Sequence, residues 1–328
     1  MSNLERDPGE VLLEQRPAGA GPGPAIEILE PRDVPLGGPR AMSVRRTLPQ
    51  RARSLIGAWC FLDHYGPDDV ARTGGMDVPP HPHTGLQTVS WLFRGEIEHR
   101  DSVGTVSLVR PGELNLMTAG RGIQHSERST PGTEVLHGAQ LWIALPDGAR
   151  DVAPAFEAVP AAPLELGDAR VQVFLGGLGA ARAEARVFSE LVAAQIDLPA
   201  GGSTELPLDP AFEHGLLVDA GDATVEGYRV APAHLAYLEP GRASLRVTSG
   251  ASPTRALLIG GRPLGESIVM WWNFVGRAHD DVAEARARWQ AEVIGGGDPA
   301  GRFGDIPTDP GPPLPAPELP NLRLKPRG

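Results

Sequence analysis

Cysteine is nearly absent from this 328-residue chain, and Cys60 stands alone. A single thiol excludes an intrachain disulfide framework and a thiolate zinc cluster. Flanked by Trp59, Phe61 and Leu62, it reads as buried and inert. Aromatic residues make up only 5% of the chain. Also missing is any apolar run near the roughly 20 residues of a membrane-spanning helix, so no membrane partner is expected. The opening Met1-Ser-Asn-Leu-Glu-Arg-Asp7 has neither the basic nor the apolar region of a signal peptide, which points to a cytoplasmic protein. The formal net charge is −11 and no basic block interrupts it. Direct binding to DNA or RNA therefore lacks an electrostatic basis.

Glycine and proline are plentiful by contrast, at 41 and 34 residues. With so few aromatics this composition favours turn-rich all-β structure over a helical bundle, and the length favours two domains. Strand-like runs recur between turn signals: Thr88-Val-Ser-Trp-Leu-Phe93, Glu96 to Ser102, Thr105 to Val109, Leu114 to Met117, Ile123 to Glu127 and Leu136 to Leu145. Such a series predicts a sandwich or barrel. A second series follows between Arg170 and Gly260. The expected layout is a disordered tail over 1–24, a first β-domain over 25–152, a connector over 153–168 and a second β-domain over 169–277. A docked amphipathic helix over 278–294, read from the stripe Val282, Ala285, Trp289 and Val293, precedes a Pro/Gly-rich disordered tail over 295–328.

Chemistry concentrates in the first domain. His81-Pro-His83 and His125-Ser-Glu127 each place two metal-ligand types at i and i+2, which in a strand share one face. Brought together inside a barrel, they would surround one ion with three imidazoles and a carboxylate. That donor set suits a mid-row divalent transition metal, with Fe(II) first and Ni, Mn or Zn as alternatives. Glu127 would also be the proton acceptor at the site. Gln87 shares parity with His81 and His83 if the strand is unbroken, which would turn it toward the cavity. His64, His99 and Arg121 are candidates to support the ligands, with Arg121 fixing the loop before His125; His137 is a further neighbour. A weak repeat matches Phe93-Arg-Gly95 and Val109-Arg-Pro111 to Asp219-Ala-Gly221 and Val230-Ala-Pro232. The ligand positions carried across it fall on Pro207, Asp209 and Arg246, so the second domain is expected to be metal-free. His214 and His234 there read as structural or surface residues.

His81-Pro-His-Thr-Gly-Leu-Gln-Thr-Val89, Gly95-Glu-Ile-Glu-His-Arg-Asp-Ser102 and Met117-Thr-Ala-Gly-Arg-Gly-Ile-Gln-His-Ser-Glu127 closely resemble the pirin family. Asp63-His-Tyr-Gly-Pro67, His137-Gly-Ala-Gln-Leu-Trp142 and Leu257-Leu-Ile-Gly-Gly-Arg-Pro-Leu-Gly-Glu266 are similar to it too. The resemblance spans about residues 25 to 293. It implies two tandem cupin domains, which are jelly-roll β-barrels, with the metal in the N-terminal one held by His81, His83, His125 and Glu127. It further implies iron, and dioxygenase activity of the quercetin 2,3-dioxygenase type on a small aromatic or enediol substrate with dioxygen. The alternative is a redox-sensing metal protein that acts on a transcription factor or metabolic enzyme as its protein partner. The family usually has Glu where this chain has Gln87, which removes an obvious extra base.

Overall fold

The computed structural model describes residues 12–13, 26–35, 42–51, 53–296 and 298–327. The tail expected over 1–24 lies outside them except for Leu12–Leu13, which pairs with Ile28 and Leu29.

Two jelly-roll barrels fill most of the chain. Each pairs one large antiparallel sheet with a four-stranded one. In the first barrel the large sheet runs Ala155–Pro160, Glu113–Thr118, Leu86–Arg94, Val135–Ala144, Trp59–Asp69, Ser43–Leu48, Arg32–Pro35. Facing it are Asp77–His83, Ile123–Ser129, Ile97–Asp101 and Val106–Val109 in that order. Between the two sheets lie Phe61, Tyr65, Leu86, Leu92, Met117, Ile123 and Trp142. The second barrel repeats the plan, and its interior holds Leu206, Leu216, Val218, Leu245 and Val247.

The large sheets stand back to back, and their outer faces form one shared core. Trp59, Val89, Trp91, Leu116 and Leu141 meet Phe174, Leu175, Leu257 and Ile259 there. The rings of Trp91 and Phe174 stack at 4.3 Å. Strands buried on both faces read as near-continuous apolar runs, which is how Thr88-Val-Ser-Trp-Leu-Phe93 reads. Alternation sends Leu86 and Leu92 into the barrel and Val89 and Trp91 to the seam.

The chain crosses the domain limits expected from sequence at both ends. Ile26–Leu29 pairs with Leu235–Leu238 in the second barrel, although it was expected to open the first. The hairpin Val269–Trp271 and Phe274–Gly276, expected in the second domain, instead docks on the first barrel, where Val275 N donates to Thr84 O (3.0 Å). Gly85 makes that approach feasible: at φ +70°, a Cβ there would lie 2.2 Å from Val275 O. The expected connector is two edge strands. Ala155–Pro160 pairs with Glu113–Thr118, and Ala162–Leu166 pairs with Ala169–Leu178. Proline is tolerated on sheet edges, so the Pro-rich composition there was no barrier to pairing.

The helix His279–Trp289 follows, with Val282, Ala285 and Trp289 buried, and a π-helical turn continues it through Ile294. Its predicted apolar stripe is the buried one, with Val293 partly buried against the same cluster. Beyond it the expected disorder is overturned. The described part of residues 295–328 is irregular but docked, with Phe303, Ile306 and Ala316 at 1%, 7% and 6% exposure. Trp289 Nε1 donates to Leu314 O (2.9 Å). Composition misled here because a proline-rich segment can be held by a few spaced anchors without forming a ladder. No helix among the described residues is long and apolar enough to cross a membrane.

Candidate metal centre

His81 and His83 lie on Asp77–His83, and its neighbour Ile123–Ser129 carries His125 and Glu127. Register places His125 opposite His81 and Ile123 opposite His83, so the i, i+2 pairs from both strands point into the barrel. The three imidazoles form a triangle with ring-centre distances of 5.0, 4.4 and 5.0 Å. Their nearest ring nitrogens lie within 4.8 Å of one another. Glu127 stands one step aside, within that distance of His125 and His99. A register shift between His125 and Glu127 offsets it from the triangle.

All four side chains are 0% exposed. Burial pushes His81, His83 and His125 well below the usual imidazole range, so each is neutral at pH 7 with a lone pair available. Among the described residues, His125 Nε2 makes no hydrogen bond. A buried polar atom without a partner costs about 1–3 kcal/mol. Three neutral imidazoles turned on one point, with a carboxylate beside them, fit a divalent transition ion by donor chemistry.

The surroundings fix orientation. His81 Nδ1 lies 2.9 Å from Pro79 O, which turns Nε2 inward. His99 Nδ1 lies 3.4 Å from His125 Nδ1, and its Nε2 is 3.1 Å from Asp101 Oδ2. Asp101 Oδ1 in turn accepts from Val103 N and Thr105 N, both at 3.0 Å. The chain Asp101, His99, His125 therefore leaves His125 Nε2 as the free ligand atom, in the way metal-bound imidazoles are commonly supported. Phe156, from the former connector, stacks on His99 at 4.6 Å. Ser90 Oγ is 3.2 Å from Glu127 Oε1 and 2.8 Å from Gln140 Oε1. Turning the Gln140 amide over would let it donate to Ser90, leaving the Ser90 proton for Glu127. The Tyr65 hydroxyl has no partner among the described residues; burial raises its pKa well above the usual value, and the Glu127 charge adds to this.

Other residues singled out in the sequence go elsewhere. Gln87 faces the seam, donating to Thr118 Oγ1 (2.9 Å) and Arg186 O (3.0 Å). The strand is broken at Thr84 and Gly85, so the parity that would have turned Gln87 inward is not carried through. His64 lies at the junction of the barrels, away from the centre: His64 Nε2 and His137 Nε2 are each 2.6 Å from Asp219 Oδ1. Arg255 donates to the other oxygen of Asp219 (2.6 Å). Burial alone would raise the Asp219 carboxyl, but hydrogen bonds from His137 and His64 reverse this and hold it well below the carboxylate range. Burial lowers His64 despite its anionic partner, so a neutral imidazole bonds a carboxylate balanced by Arg255. Arg121 is exposed and supports its loop through the backbone, its N donating to Val152 O (3.0 Å). Gly120, at φ +52°, is required beside it because a Cβ there would sit 2.0 Å from Val152 O.

Cys60 is buried, with its thiol pushed up to about 12 by desolvation, an inert group as expected. In the second barrel His214 is buried, and His234 Nδ1 lies 3.1 Å from Pro232 O. Asp209 caps Ala211 N (2.8 Å) and Arg246 pairs with Glu205 at the surface. Sequence reading missed Ser90, Gln140 and Asp219. The available signal was a polar residue inside otherwise apolar strands.

Comparison with known proteins adds an independent line. Family models described as Pirin and as Pirin C-terminal cupin domain match residues 41–143 and 193–295. A Pseudomonas aeruginosa protein named provisionally as a quercetin 2,3-dioxygenase is 44% identical over 297 residues, covering 90% of this chain and 91% of its own. A Caulobacter vibrioides pirin-like protein is 36% identical over 259 residues, covering 76% and 88%. The crystal structure of an Acinetobacter baumannii quercetin 2,3-dioxygenase superposes with a TM-score of 0.84 at 38% identity, covering 91% of this chain and 97% of that one.

Proposed function

The chain belongs to the pirin family, and from that premise we propose that it is a metal-dependent dioxygenase that opens the central ring of a flavonol or a related aromatic enediol. The observation that carries this reading is the buried group of three neutral imidazoles beside one carboxylate. The names of the Pseudomonas and Acinetobacter relatives support it. His81, His83, His125 and Glu127 are the proposed ligands, and iron is the proposed metal. A bound divalent ion would supply Lewis acidity and bring dioxygen and substrate into one reacting complex.

The protein's own groups do the rest. Three neutral imidazoles and one carboxylate would leave a bound divalent ion with one net positive charge, which would favour a deprotonated enediol over a neutral one. Glu127 accepts the substrate hydroxyl proton, and Ser90 holds the carboxylate through Oε1. Asp101 and His99 keep His125 in a single tautomer and ring orientation. Phe61 and Trp142, stacked at 4.0 Å, make one wall apolar, and Trp142 meets the His83 ring edge-on at 5.1 Å. Excluding water strengthens every charge interaction in such an interior. In the balanced reaction both oxygen atoms of dioxygen enter the products, a ring-opened ester and carbon monoxide.

The test is quercetin consumption by the iron-loaded protein, with carbon monoxide measured alongside and heavy-isotope dioxygen as tracer. The expected result is metal-dependent turnover with one carbon monoxide per dioxygen consumed. Absence of metal-dependent turnover would reject the dioxygenase. Intact turnover in Glu127→Gln would remove Glu127 as proton acceptor. Complete burial of the four side chains favours, as a second reading, a redox-sensing metal protein that needs no substrate entry. Partner capture that differs between reducing and oxidising conditions would support that alternative.

A further inference from the structure

On the strand Ile123–Ser129, His125 and Glu127 point inward, while Gln124, Ser126 and Arg128 alternate outward. Each of these outward residues is tied to the C-terminal tail. Gln124 Nε2 donates to Gly304 O (2.6 Å), and Ser126 Oγ donates to Asp309 Oδ2. The Arg128 guanidinium takes both oxygens of Asp309, at 2.6 and 2.9 Å. The same segment reaches the strands on either side. Arg100 donates to Thr308 O (2.9 Å), and Leu314 N donates to Pro80 O (2.8 Å), next to His81. Arg128 Nε also donates to Asp77 Oδ1 (3.0 Å), so one guanidinium joins the tail to both ligand-bearing strands.

Between the pairs His125–His81 and Glu127–Val78 the strand Asp77–His83 carries one extra residue, so Ser126 faces a bulge at Pro79 and Pro80 while its other edge stays paired with Arg100. Ladder bonds are disrupted on the bulged side, so the spacing of the two strands there depends on what holds the side chains. The tail is anchored independently by Phe303, buried against Trp289. Both family models end at or before residue 295, so they do not include this segment.

We propose that residues 303–314 clamp the outer face of the ligand strands, and that Asp309 is a positioning residue which sets the spacing of His125 and Glu127 through Ser126 and Arg128. The clamp rests on the metal-centre reading and is independent of the substrate. An arginine–carboxylate pair of this bidentate kind fixes direction as well as distance. Removing it loosens the bulged contact between the two strands that carry the four proposed ligands.

The full-length protein, stripped of metal and reloaded with Co(II), provides the test for Asp309→Ala, Ser126→Ala and Arg323→Ala. The readouts are Co(II) affinity by competition with a coloured chelator and the visible ligand-field spectrum. Asp309→Ala is expected to weaken Co(II) binding about 10- to 100-fold, the range for groups that orient ligands, and to shift the visible bands. Ser126→Ala should move both readouts less, in the same direction, and it decides the matter if Asp309→Ala does not fold. Arg323→Ala breaks an exposed tail pair with Asp280 and should leave both unchanged. Wild-type affinity and spectrum in the Asp309 and Ser126 variants would overturn the clamp, as would an equal loss in Arg323→Ala. A wild-type protein that takes up no Co(II) would instead overturn the metal centre, and the clamp with it.

Discussion

The two barrels share one plan and differ in what fills them. The second holds Leu206, Leu216, Val218, Leu245 and Val247 at 0% exposure. Burying such a side chain stabilises by about 1.5–3 kcal/mol, so this interior supports itself. At 0% exposure the first barrel holds three imidazoles, with His125 Nε2 unpaired among the described residues. A site like that must be held by its surroundings. Asp101 and His99 steady His125, Ser90 steadies Glu127, and the tail grips the strands from outside. The seam joins the second barrel to the first through the stacked rings of Trp91 and Phe174. One barrel is filled by apolar side chains, and the other encloses a buried polar cluster.

The largest expected effect is the loss of that chemistry. His83→Ala or His125→Ala should reduce bound metal from about one per chain to near zero by elemental analysis. The largest expected effect on stability is at Arg46, whose guanidinium pairs with Asp63 at 2.7 and 2.8 Å with both residues buried. Arg46→Met leaves that carboxylate buried and unpaired, and should cost about 3–5 kcal/mol in denaturant titration.

Acid should act on buried groups in both barrels. His214, in the second barrel, is lowered to about 4 by burial. Its folded pKa lies below the unfolded value near 6.5, so the unfolded chain takes the proton first. Its contribution, up to about 3 kcal/mol at roughly 1.4 kcal/mol per unit, is present above pH 6.5 and is lost as pH falls toward 4. His64 at the seam acts in the same direction. Asp219, depressed in the folded state, adds a loss that begins below the unfolded carboxylate value near 3.9. Melting curves of the metal-free protein between pH 7 and 3 should therefore fall in two stages; His81, His83 and His125 add to the first, and His214→Phe should reduce it. The smallest expected effect on metal is at Gln87. Because its amide faces Arg186 O across the seam, Gln87→Glu should lower stability by about 1–3 kcal/mol and leave metal affinity unchanged.

Local pattern was enough to find the all-β fold and the inward turn of His81, His83, His125 and Glu127, because strand alternation is a strictly local rule. The same rule failed at Gln87, where Gly85 interrupts the strand and alternation restarts. Partners distant in the chain were not legible. Asp219 meets His64 across 155 positions and Asp309 meets Arg128 across 181; no periodicity encodes such pairs. Composition was misleading for residues 155–166 and 303–316, because edge pairing and isolated anchors tolerate proline where a central ladder does not.

The most direct measurement is the transition-metal content of the full-length protein after reloading with Fe(II), beside His83→Ala and Glu127→Ala. One ion per chain in the wild type, lost in His83→Ala and reduced in Glu127→Ala, is the expected result. Wild-type protein that retains no metal, or variants that retain as much as wild type, would contradict a metal centre in the first barrel.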